Sequence, residues 1–245
     1  MILGVSHIVL TSTDLTRDRC TLEQVGWITQ FEQRGIPTHP GKQPFMSTTS
    51  TEQGLVFMRS QRGTPVELIH YADRLMDASE SPLQIVLPKP SQYADLGHLT
   101  CPLFFADDAP EPSLITHFVT DLPAALRLWE KGLGFRAAAK QDGPHGSAKL
   151  EFRSPVAAWS AVLLLIPRPA PPVPPLLDGP GFRCLSMLSN NLDNDVAALQ
   201  RLGVLAGTGR MNLEINGNHL SLEMLPFADG LMIELMQVTQ QRTVA

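Results

Sequence analysis

Gly4-Val5-Ser6-His7-Ile8-Val9-Leu10, followed by Asp14-Leu15, is the stretch whose reading decides the fold. Small and apolar residues around a single histidine make a short buried strand. The aspartate that follows is a side chain suited to capping the free N–H groups at the start of a helix. From Asp14 the pattern predicts a helix over residues 15–25, closed by Gly26, and a strand over 27–32. Residues 34–53 read as a loop too polar and too broken by Gly and Pro to pack inside. Two further strands, 54–60 and 65–71, are joined by a tight turn at 61–64. The order is strand, helix, three strands.

The same order is written twice more. In the second copy a strand over 114–120 leads to the cap Asp121, and Pro123 sits where a first helical turn tolerates it. A helix over 122–131, with Leu126, Trp129 and Leu133 on one side, ends at Gly134, and strands follow at Phe135, 149–153 and 160–166. The third copy has a strand at 182–188, the cap Asn191, a helix over 192–202 stopped by Gly203, and strands at 211–215, 219–225 and 230–238 with an Asp229-Gly230 turn. Cap and stop glycine are 12, 13 and 12 residues apart in the three copies. From stop glycine to the middle of the last strand is 31 residues in copies two and three and 41 in copy one, whose long loop supplies the extra ten. A repeat of this length is a unit that cannot bury its own sheet face and so stacks on its copies.

The expected fold class is therefore α+β, with repeated βαβββ modules forming curved mixed β-sheets. The expected organisation is a first module over 1–75, a Pro-containing connector over 76–111 that adds to a sheet edge, a second module over 112–168, a Pro-rich linker over 169–180 and a third module over 181–240.

Bulk properties narrow the partners. The net charge of -5 argues against non-specific nucleic-acid binding, which needs a basic face. No run of 18 apolar residues exists to cross a membrane as a helix, and the first residues lack the basic start and cleavage site of a secretory leader. Cys20, Cys101 and Cys184 are odd in number and widely spaced, as suits reduced thiols in a cytoplasm. A small molecule is the expected partner, in a cytoplasmic setting. No Gly-x-Gly-x-x-Gly follows a strand, and neither a Walker loop nor a Gly-x-Ser-x-Gly elbow occurs; the glycines at 203, 207 and 209 lie in a loop.

The unit resembles the vicinal oxygen chelate superfamily, which includes glyoxalase I, methylmalonyl-CoA epimerase, extradiol dioxygenases, fosfomycin-resistance enzymes and bleomycin-binding proteins. The likeness is carried by Ser6-His7-Ile8-Val9-Leu10 with Asp14-Leu15, by Asp121-Leu122-Pro123-Ala124-Ala125 with Leu133-Gly134-Phe135, and by Phe227-Ala228-Asp229-Gly230-Leu231-Met232-Ile233-Glu234-Leu235. In such proteins two units pair into a curved half-barrel around a divalent metal, with His or Gln supplied early in a unit and Glu late. Carried over, the early position seven residues before the cap holds His7, Leu114 and Cys184, and the late position holds Glu67, Leu165 and Glu234. The resemblance thus implies His7, Glu67 and Glu234 as metal ligands, His7 and Glu234 as catalytic residues, and a middle unit that has lost its ligands. The implied cofactor is a divalent ion (Fe, Zn, Mn, Ni or Co) or none. The implied activity is isomerase, lyase or dioxygenase chemistry on a small oxygenated, partly hydrophobic metabolite; the alternative is a metal-free binding or drug-sequestering protein of the bleomycin-resistance type.

These ligands meet only if copies one and three share a cavity, or if a homodimer brings them together. Adjacency along the chain instead favours copies two and three as the pair. Each residue also has a plainer reading. His7 is then a hydrogen-bonded core histidine, Glu67 an ion-pair partner of Arg59 or Arg62, Glu234 an inherited residue without use, and Cys184 a core thiol. Strand alternation turns His117 away from the ligand face, toward helix packing or the surface. His39, His98, His145 and His219 read as solvated loop residues, and Met224, Met232 and Met236 as either pocket lining or core.

Overall fold

A computed structural model of the chain describes residues 1–24, 26–60, 64–72, 83–88, 104–106, 114–138, 146–153, 160–169, 176–179 and 181–239. The expectations for Val25, the turn at 61–63 with Arg62, His98, Cys101, His145 and much of the connector lie outside the described residues.

Three βαβββ units are present. The first holds β1 (Ile2–Thr11), α1 (Leu15–Gln24), β2 (Ile28–Pro37), β3 (Glu52–Arg59) and β4 (Val66–Tyr71). Between units lie β5 (Leu83–Pro88) and β6 (Phe104–Ala106). The second unit holds β7 (Leu114–Val119), α2 (Leu122–Arg127), β8 (Arg136–Ala137), β9 (Ala148–Arg153) and β10 (Ser160–Pro167). The third holds β11 (Gly181–Ser189), α3 (Leu192–Arg201), β12 (Met211–Ile215), β13 (Asn218–Pro226) and β14 (Met232–Thr239). Among the described residues no helix is long and apolar enough to cross a membrane.

The local signals act as read. Asp14 accepts a hydrogen bond from the Arg17 amide at 3.0 Å, Asp121 from Ala124 at 2.9 Å and Asn191 from Asn194 at 3.2 Å. Gly26 and Gly203 turn the chain out of their helices with φ of 91° and 96°, a region closed to most side chains. The paired first and third units share a further device. The Ser12 hydroxyl accepts from the Asp14 amide and donates to Asp18 at 2.7 Å, and Ser189 does the same with Asn191 and Asp195 at 2.6 Å. In the second unit the helix is shorter than predicted. α2 stops at Arg127, and a wider π-type turn over Leu128–Gly132 carries the buried Trp129.

Sheet order decides which units meet. The first unit runs β2-β3-β4-β1, β1 lies antiparallel to β11, and β11 continues through β14 and β13 to β12. Units one and three thus share one curved eight-stranded surface with β1 and β11 at its centre. The pairing favoured by adjacency, copy two with copy three, is not formed. The reason lies in the connector: β5 pairs with β7 along Leu83–Val86 and so occupies the edge that copy two would offer to another unit. The connector also enters the sheet instead of only adding to its edge, since β5 pairs with β11 at the register position of Leu83 and Phe182. The second unit is fastened by Trp129, whose ring packs edge-on to Phe227 at 5.4 Å, and by Thr120, which donates from amide and hydroxyl to Asp229.

Alternation along the strands splits the interior into two cores. Ile8, Leu10, Leu68, Leu185, Ile233 and Leu235 face the helices, with Trp129 among them. Val9, Ile69, Tyr71, Cys184, Met224, Met232 and Met236 face the concave side. The segment read as a solvated loop is corrected here as well. β2 runs on to Pro37, a 3₁₀ turn covers Pro40–Phe45, and Lys42, Ser50 and Gln53 are buried, with Phe45 and Met46 packed against the concave core.

Candidate metal and substrate site

His7 reaches the concave side through an irregularity in β1 between Val5 and His7, so that Val5 and Ile8 both enter the helix-side core while Ser6 and His7 line the cavity. Register then brings the acids to it. His7 lies opposite Ser186 across the β1–β11 seam, Ser186 opposite Glu234, and Glu67 opposite Val9 on the other side. The three residues implied by the resemblance therefore share one hollow of about 330 Å³, formed by units one and three, in the size range of small-molecule sites.

At its end His7 Nε2 stands 3.8 Å from a Glu67 oxygen and 3.8 Å from a Glu234 oxygen. His7 is 4% exposed and Glu234 7%. His7 Nδ1 lies 3.0 Å from the Ser6 hydroxyl. In the tautomer where Nδ1–H donates to that oxygen, Nε2 presents a lone pair to the acids. Burial lowers the imidazole's pKa, opposed by the charge of Glu234, so the ring is neutral. Nε2 is a buried nitrogen with no hydrogen-bond partner among the described residues. The Ser186 hydroxyl donates to Glu234 at 2.7 Å. Burial and the neighbouring Glu234 push the Glu67 carboxyl up to about 8, with Lys42 opposing.

The donor set suits a divalent ion: one neutral imidazole and two carboxylates, each within reach of the others. Two ligand atoms on one ion with bonds near 2 Å lie about 3–4 Å apart, which the spacing at Nε2 meets. Among the described residues no group of three or more such side chains is already drawn together tightly enough to hold an ion. The unpartnered Nε2 faces the gap between the two acids.

The plainer readings resolve residue by residue. Glu67 faces His7, whereas Arg59 lies over the Phe57 ring. Cys184 is a buried free thiol in the cavity wall, and burial pushes its pKa well above the ordinary range. His117 is fully buried and accepts from Trp129 Nε1 at 3.2 Å, so it packs a helix as alternation required. His39 caps the 3₁₀ turn by accepting from the Gly41 amide. Met224 and Met236 do line the cavity. Leu114 and Leu165 of the middle unit carry no ligand.

Sequence reasoning missed Lys42, Gln53 and Ser186. Lys42, 4% exposed, donates from Nζ to Gln53 Oε1 at 3.0 Å and sits 5.8 Å from the Tyr71 ring centre. Burial lowers its pKa, against the pull of Glu234 and Glu67. The available signal was Pro37, Pro40 and Pro44 beside Phe45-Met46, a combination too stiff and too apolar for a solvated loop.

Glu67 makes stability depend on pH. An unfolded glutamate loses its proton near 4.5, whereas the folded one keeps it to about 8. Between those values folding takes up a proton, so stability falls as pH rises through the window and levels off above it. The melting temperature of chelator-treated protein is expected to fall more steeply from pH 5 to 8 in the native chain than in Glu67→Gln. Parallel slopes would contradict the assignment.

The architecture, βαβββ units joined edge to edge in a curved sheet around a cavity, is a glyoxalase-like fold. Among solved structures, one mutant form of glyoxalase I from Zea mays aligns with 96% of this chain and 93% of its own at 12% identity, with a TM-score of 0.61. A second mutant form of the same maize enzyme aligns with 96% and 92%, again at 12% identity, with a TM-score of 0.58. No protein-family model and no curated protein matches the chain.

Proposed function

We propose that the chain is an enzyme of the vicinal-oxygen-chelate kind, acting by proton transfer of the isomerase or lyase type. Its substrate is a small oxygenated, partly hydrophobic molecule, and His7, Glu67 and Glu234 hold a divalent ion. The observation that carries this reading is His7 Nε2, buried and unpartnered between two carboxylate oxygens each 3.8 Å away. A bound ion would polarise a carbonyl or hydroxyl of the substrate.

The chain's own residues supply the rest. Ser6 fixes the imidazole's tautomer, as outer partners of ligating histidines do. Glu234, held by Ser186, is an acceptor in a constant position for a proton leaving the substrate. In the metal-free chain Glu67 keeps its proton to about 8, and it would give that proton up on taking its place as a ligand of the ion. Phe57, Leu55 and Met224 form apolar wall that keeps water from the acids.

Calorimetric titration of chelator-stripped protein with Mn²⁺ tests the reading. One ion per chain is expected, with affinity rising with pH up to about 8 as Glu67 gives up its proton, then levelling. Absence of saturable binding, or an affinity flat across that range, would sink it.

A further inference from the structure

Lys42 lines the same cavity as Glu67 and Glu234 without touching either. Its Nζ has one hydrogen-bond acceptor among the described residues, Gln53 Oε1, and no carboxylate there lies within 4.0 Å of it. A lysine near a surface ordinarily snorkels to water, and an ammonium taken out of water calls for a counter-ion in contact. Here neither is provided. Glu67 and Glu234 act on Lys42 through space while facing His7.

The lysine is also held in place by unusual effort. Its 3₁₀ turn begins at Pro40, is capped by His39 and contains Pro44. Gly41 lets it approach the Thr208 carbonyl, where a Cβ would stand 2.5 Å from that oxygen. Beyond the turn, Ser47 and Thr48 are fastened to the buried Asp178. Two other cations line the cavity: Arg183, buried and with interactions of its own, and Arg59, exposed at Phe57.

We propose that Lys42 anchors an anionic oxygen of the substrate, so that the cavity takes a carboxylate-bearing molecule with an apolar body. The proposal rests on the small-molecule reading of the same cavity. His7, Glu67 and Glu234 on β1, β4 and β14 and Lys42 on the 40–45 turn line one cavity, together with apolar side chains such as Leu55, Leu222 and Met224. The anion completes the hydrogen bonding of Nζ, and the polar part of the substrate reaches His7.

A matched pair of probes tests this: mandelate and its neutral analogue mandelamide, titrated into chelator-stripped protein. The native chain is expected to bind mandelate at least about tenfold more tightly, the effect of one charge-assisted hydrogen bond. Lys42→Met should bring the ratio to about one with mandelamide binding unchanged, and Lys42→Arg should keep the preference. A native chain without acid preference, through equal binding or none, overturns the proposal, as does a preference that survives in Lys42→Met. A second measurement needs no variant. Mandelate, and not mandelamide, should slow reductive methylation of Lys42 by formaldehyde and cyanoborohydride, read by peptide mass spectrometry; equal rates overturn the proposal. Mn²⁺ titration of the same samples separates the two claims. Lost Mn²⁺ binding with intact acid preference condemns the metal reading alone, and the converse condemns Lys42 alone.

Discussion

His7→Ala is expected to weaken Mn²⁺ binding by more than about 100-fold, since even outer partners of ligating histidines are worth about 10–100-fold. His7 is the neutral donor of the set and the one group that faces both acids at 3.8 Å. Its removal leaves two carboxylates on opposite sides of a wider gap, with less reason to share an ion. The metal-free protein should lose some stability as well, because the buried ring gives up its bond to Ser6 and its edge-on contact with Phe57. The mark of the variant is therefore a lost response: Mn²⁺ should raise the melting temperature of the native chain and not that of His7→Ala. Ser6→Ala should weaken binding by about tenfold through the imidazole's tautomer alone. Equal Mn²⁺ affinity in His7→Ala and the native chain would remove the ligand assignment.

Asp178→Ala is expected to cost about 3 kcal/mol of stability and lower the melting temperature by about 6–12 °C. The Asp178 carboxylate is fully buried, and it accepts from the amides and hydroxyls of Ser47 and Thr48 at 2.8–3.1 Å. Alanine abolishes these charge-assisted bonds at once; Ser47 is exposed and Thr48 half-buried, so the cost is the lost anchoring of the segment. The damage should extend to the cavity, because the segment released is continuous with the turn that carries Lys42. Thermal unfolding measures the first effect, and loss of the mandelate preference the second. A fall below about 2 °C would show that the strap between residues 47–48 and 178 holds nothing of consequence.

What could be read from the sequence was local chemistry. Asp14, Asp121 and Asn191 cap helices because their short side chains reach an amide three residues on, and Gly26 and Gly203 end them because a positive φ is needed. That spacing exposed the repeat. Alternation within β4 and β14 then put Glu67 and Glu234 on the face away from Leu68 and Leu235. Which units meet was not legible, because it turns on β5 taking the edge of β7, a competition between strands far apart in the chain. Lys42 was harder to find: Ser, Thr, Gln and Gly around it mask the proline and Phe45-Met46 signal, and the segment is tied at Ser47 to Asp178, more than a hundred residues away. The Ser12–Asp18 and Ser189–Asp195 brackets were legible at matching spacing on either side of their caps and went unread.

The seam between β1 and β11 has a bearing on synthesis. His7 leaves the ribosome 227 residues before Glu234 (234 − 7), so no nascent form that lacks β14 possesses the assembled hollow. Until β11 emerges, β1 presents one side of its backbone ladder to whatever else is in the cell, an invitation to mispair. Swift completion, or a chaperone resting on that strand, is the requirement this topology places on the organism that makes it.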